Sequence, residues 1–104
     1  MKRGELWWAD LPPPIGRRPV LLLSRDEAYA IRTAVTVAEV TTKVRGIPVE
    51  VPLGPEDGLP KRCVANLDTI VTIRKELLVE RIALLRKGKI EQINDAIRFA
   101  LAIA

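Results

Sequence analysis

The sequence predicts a small, curled, mostly antiparallel β-barrel or sandwich carrying one C-terminal helix. Three observations lead there. All eight prolines fall between Pro12 and Pro60, so the first sixty residues must be strands and turns, while the tail is free to be helical. The first part of the chain breaks into short β-branched or apolar runs punctuated by Pro and Gly. From Gly88 onward the apolar residues recur at helical spacing instead. At 104 residues and 11.6 kDa the length suits one domain, 1–104, with one core.

Glu5 to Ala9 is expected as the first strand, ending in the stiff loop of Pro12, Pro13, Pro14 and Gly16. Pro19 to Leu23 is a continuous apolar run ending at Ser24, the pattern of a central strand covered on both faces. In the strand 34–42, Val35, Val37, Glu39 and Thr41 share one face by the two-residue period. Val49, Val51 and Leu53 alternate with Glu50 and Pro52, and that proline predicts an edge strand, closed by Gly54, Pro55, Asp57 and Gly58. A long strand, 63–73, places Cys63, Ala65, Leu67, Val71 and Ile73 on one face, with Ile70 breaking the pattern on the other. A short strand at Arg81 to Leu85 turns Ile82 and Leu84 inward. The terminal helix is capped at Gly88 and carries the stripe Ile90, Ile93, Ile97, Ala100 and Leu101.

Composition narrows the chemistry. Hydrophobic residues make up 48% and charged residues 29%, a globular balance rather than a disordered or low-complexity one. No apolar stretch approaches the roughly 20 residues of a membrane helix, and the start MKRGELWW does not develop a signal-like region, so a cytoplasmic location is expected. One cysteine and no histidine exclude an internal disulfide framework and the usual zinc sites, and remove the commonest general base. Metal-free chemistry without a cofactor, or no chemistry, is the expectation. Seventeen Lys and Arg against thirteen Asp and Glu give +4 and a pI near 9.6, which permits a polyanionic partner. Arg17, Lys43, Arg45, Lys61 and Arg62 cluster around the loops and could line a backbone groove. Trp7 and Trp8 fall on opposite strand faces, so at most one is free for stacking. Trp8 or Tyr29 could hold one unstacked base.

The segment GELWWADLPPP, then Gly16 and the pair Arg18 and Pro19 opening VLLLS, resembles the MazF/PemK family of toxin endoribonucleases. The resemblance continues through EVTTK, the VEV segment, NLDTIVTI and the amphipathic tail. It implies an SH3-like β-barrel with a terminal helix, a homodimer, and metal-independent cutting of single-stranded RNA. It also implies a cognate antitoxin that neutralises the dimer with a flexible acidic segment. By the same resemblance Arg18, of the family's Arg-Pro motif, is the central catalytic residue and Thr41 its partner at the strand end. Arg18 would bind the scissile phosphate through its planar fork of donors, and Thr41 would donate to a phosphate oxygen. Asp68 is an acidic position that could orient Arg18 or read a base. Thr42, Arg17, Lys43 and Thr72 are expected as supporting or RNA-contacting residues.

RNA carries its own nucleophile, the ribose 2′-hydroxyl. Its attack on the adjacent phosphorus needs alignment, charge stabilisation and proton transfer, and leaves a 2′,3′-cyclic phosphate and a 5′-hydroxyl. Two departures from the family pattern bear on this. Leu11 to Arg17 contains no acidic or amide residue where relatives often carry one, so the general base is unassigned. Val71 precedes Thr72 where relatives often have arginine. Two other readings fit the sequence: a non-enzymatic gyrase poison of the CcdB type, and an RNA-binding paralogue that has lost cutting.

Overall fold

A computed structural model describes residues 1–104. The chain runs β1 (Glu5–Leu11), β2 (Gly16–Leu22), α1 (Ala28–Ile31), β3 (Ala34–Thr41), β4 (Glu50–Leu53), β5 (Cys63–Arg74), β6 (Leu78–Leu84) and α2 (Lys87–Ala100). The strands form one sheet in the order β4-β5-β3-β2-β1-β6, with every pairing antiparallel. The sheet curls into a half-barrel, so that Leu6 of β1 and Val51 and Leu53 of β4 share one core. The turn after β4 helps to close it: a Cβ on Gly58 would stand 3.2 Å from that of Ala83 on β6, and Gly58 also holds a φ of +89°. Only glycine suits both demands. No helix is long and apolar enough to cross a membrane.

β2 is central and buried on both faces, as its apolar run requires: Leu21 enters one cluster, Val20 and Leu22 the other. β4 is an edge strand, with Pro52 exposed between buried Val51 and Leu53. The larger cluster, 13 buried residues, is sealed by α2 through Ile93 and Ala96, flanked by Ile90, Ile97 and Ala100. The smaller cluster, 7 buried residues, lies on the opposite face around Ala9, Leu22, Val35 and Val37. Tyr29 of α1 covers it, donating its hydroxyl to the Ser24 carbonyl at 3.1 Å while its own carbonyl accepts from Lys75 Nζ at 2.7 Å. Burial pushes the Tyr29 phenol up to about 12. At 7% exposure this ring packs the core and cannot stack on a base, contrary to the sequence expectation.

Several expectations are corrected by bulges, which strict alternation does not anticipate. On β5, Asn66 lies opposite Glu39 but Ile70 lies opposite Ala38. Residues 67, 68 and 69 are thus extra, and an odd insertion reverses the phase. Ile70 therefore packs on the large cluster, Ile73 joins the small one, and Val71 is 45% exposed. Irregularities in the β1–β6 pairing act alike: Ile82 packs inward, but Leu84 is exposed and Leu85 is the buried residue. The α2 N-cap is Arg86 rather than Gly88, and Leu101 ends the helix exposed rather than extending its buried stripe.

Glu5 joins the first and last strands. Its carboxylate accepts from Arg81 Nε at 2.7 Å, Trp7 Nε1 at 3.0 Å and the Lys2 amide at 2.9 Å. Burial alone would raise its pKa, but these bonds together outweigh burial and hold the carboxyl below its ordinary value.

Candidate active site

Arg18 belongs to β2 rather than to the preceding loop, lying opposite Ala9 of β1. On its other side the β2–β3 ladder runs only from Leu22↔Val37 to Val20↔Glu39. The cause is Pro19. Leu23 N–H donates to the Thr36 carbonyl of the third strand, so by the two-residue period the amide at position 19 should also point towards β3, and proline has none. Beyond that point the strands part and a cleft opens. It has a volume of about 270 Å³, with Arg18 and Thr41 among its walls, joined by Trp8, Thr42, Lys61 and Cys63.

The polar walls are oriented by neighbours. Thr41 Oγ1 accepts the Lys43 amide at 3.1 Å, which occupies a lone pair and leaves the hydroxyl proton available for donation. Arg17 sits 5.8 Å above the Trp8 ring and bonds Glu80 at 3.1 Å, a cation–π contact that keeps the guanidinium at the rim. Trp8 is thus the cleft tryptophan, while Trp7 is tied to Glu5. Cys63 is buried and belongs to the large cluster as expected. Burial pushes its thiol pKa up, with Asp57 and Glu56 adding to the effect, so it contributes shape rather than a thiolate.

Arg18, Thr41, Thr42 and Arg17 come together in this cleft. Lys43 is exposed beside it, acting on Thr41 through its backbone. Asp68 and Thr72 are not brought in. Asp68 is exposed on the β5 bulge, its amide donating to Asn66 Oδ1 at 2.9 Å, and Thr72 pairs with the Thr36 hydroxyl at 3.2 Å. The carboxylate on Arg18 is instead Glu39, with Oε1 3.5 Å from Nη1. Strand alternation places Glu39 on the same face as Thr41 but names no partner for it; the partner comes from the facing strand, where Val20 lies opposite Glu39 and Arg18 is two residues away.

Known proteins match closely. Residues 2–101 match the family described as PemK-like, MazF-like toxin of type II toxin–antitoxin systems. Probable endoribonuclease MazF5 of Mycobacterium tuberculosis is 39% identical, over 95% of this chain and 91% of its own length. The solved structure of Mycobacterium tuberculosis toxin MazF-mt6 superposes with a TM-score of 0.89 at 33% identity, covering 96% of this chain and 98% of that one. A mycobacterial endoribonuclease solved in complex with its cognate antitoxin gives 0.87 at 29% identity, covering 100% and 97%. Matched over nearly its whole length in both sequence and fold, the chain belongs to the PemK-like, MazF-like toxin family of type II toxin–antitoxin systems.

Proposed function

We propose that this chain is the toxin of a type II toxin–antitoxin pair and acts in the cytoplasm as a sequence-specific endoribonuclease on single-stranded RNA. Residues 1–104 form its one working domain, which acts as a homodimer. Arg18 binds the scissile phosphate and stabilises the charge that builds on the phosphorane oxygens. An arginine guanidinium keeps its proton in proteins, which makes electrostatic stabilisation its role in preference to proton donation. Thr41 donates to a phosphate oxygen. The 2′-hydroxyl is the nucleophile, and the products are a 2′,3′-cyclic phosphate and a 5′-hydroxyl, with no metal or cofactor in the step.

The observation that carries this reading is the pairing of Arg18 with Thr41 across the mouth that Pro19 leaves unladdered. A basic rim supports it: Arg17, Lys43, Arg45, Lys61 and Arg62 are all exposed, suited to an RNA backbone or to the acidic segment of an antitoxin. The relatives named endoribonucleases and the relative solved with its antitoxin point the same way.

The test incubates the protein with a long mixed-sequence RNA in EDTA, beside Arg18→Ala and Thr41→Ala, and maps the new 5′ ends. Discrete wild-type cuts that vanish in both variants are expected. RNA left intact by the wild type would overturn the ribonuclease reading, and a gyrase-binding assay would follow.

A further inference from the structure

We infer that Glu39 is the general base of this site, taking the proton of the attacking 2′-hydroxyl. The inference rests on the ribonuclease reading above and deepens it. Attack needs a proton acceptor beside the phosphate-binding group. The chain has no histidine, and the segment Leu11 to Arg17 has no carboxylate. Arg18 forms a wall common to the main cleft and a second cleft of about 210 Å³ on the other side of it. Of the residues lining the two clefts, Glu39 alone carries a carboxylate, and in the second cleft Arg18 is the only other charged group. The remaining walls there are apolar apart from Thr69, among them Leu11, Ile15 and Val71.

Geometry supports the role. Glu39 and Thr41 are two residues apart on one face of β3, and Val20 lies opposite Glu39, so Arg18 extends from β2 on that same face. The ion pair is long, 3.5 Å through one oxygen, and the Arg18 and Glu39 side chains are 40% and 37% exposed to an incoming ligand. A guanidinium has five donors, so Arg18 can hold a phosphate oxygen while keeping its carboxylate neighbour. The role requires an RNA strand, with its phosphate on Arg18 and Thr41, to run so that its 5′-side ribose lies over the second cleft, which Glu39 lines. The other nearby carboxylates are turned away: Glu80 is held on Arg17, and Asp10 is opposite Arg17 on the outer part of the β1–β2 hairpin.

The step balances without a further reactant. Glu39 takes the 2′-hydroxyl proton as the O2′–P bond forms and the P–O5′ bond breaks. The electron pair of the broken bond stays on O5′, which takes a proton from water, and Glu39 returns its own proton to solvent.

Glu39→Gln and Glu39→Asp test this on the full chain. With a synthetic RNA spanning a mapped wild-type cut, Glu39→Gln should lower kcat by about 10² to 10⁴. Its melting temperature should not change, nor its affinity for the same RNA carrying a 2′-deoxy nucleotide at the cut. Wild-type kcat should fall with unit slope at acidic pH, Glu39→Asp should keep that limb, and Glu39→Gln should lose it. Unchanged cleavage by Glu39→Gln would overturn the assignment and leave the ribonuclease reading standing. So would loss of affinity for the 2′-deoxy RNA as large as that of Arg18→Ala, since Glu39 would then only hold Arg18. A wild type that cuts nothing would overturn both.

Discussion

The two faces of the sheet bury their apolar side chains differently. The face under α2 encloses the larger cluster and is sealed along its length by Ile93 and Ala96. The opposite face has the smaller cluster, a cover of one helical turn, and a fringe where Ile15 is 49% and Val71 45% exposed. Arg18 and Glu39 stand at that fringe. The difference separates two requirements: the sealed face stabilises the fold, and the thinly covered one leaves space beside a charged pair.

Adjacent leucines on β2 allow the sharpest test, because Leu21 and Leu22 are both 0% exposed but face opposite clusters. Either change to alanine should cost about 2–5 kcal/mol, with Leu21→Ala near the top of that range and Leu22→Ala near the bottom, because a thinly covered site collapses more easily. Chemical denaturation of both variants decides it, and equal losses would break the comparison. Arg18→Ala should lower the RNA cleavage rate by on the order of 10² to 10³. Its unfolding free energy should stay within about 0.5 kcal/mol of wild type. A large loss of stability would make Arg18 a structural residue.

Glu5→Gln tests the link between the edge strand and the rest. It should cost about 1.5–3 kcal/mol, the usual range for hydrogen bonds to a charged group. The Glu5 carboxyl is held below its ordinary value in the folded state. Its contribution is therefore fully present above the unfolded pKa and is lost as pH falls through the folded one. Thermal melts from neutral to acidic pH should show wild type and Glu5→Gln converging in the acid. Smallest of all, Val71→Thr on the open fringe should change stability by no more than about 0.5 kcal/mol, measurable in the same denaturation series.

Where hydrophobic periodicity was unbroken, the fold was legible. The doubly buried run on β2, the proline-marked edge at β4 and the helical stripe through Ile93 and Ile97 all follow from it. It was illegible at residues 67–69, because an extra segment leaves the composition of a strand unchanged while reversing its phase. The single turn at Ala28–Ile31 is too short to establish a period. Arg17 and Arg18 hid the start of β2, since two charges after a proline loop read as more loop. At the site, motif order brings Arg18 and Thr41 together, whereas Asp68 is named by the family resemblance alone and lies exposed on the β5 bulge. The Arg18–Glu39 pair depends on strand register, which a single sequence does not specify.

The neighbouring tryptophans make the protein its own optical probe. The Trp7 indole is fixed to the Glu5 carboxylate, whereas Trp8 lies beneath a guanidinium at the cleft wall. Trp7→Phe would leave one emitting ring at the mouth of the site. Its quenching would then follow occupancy by nucleic acid, or by a competing acidic peptide, in real time and without a label.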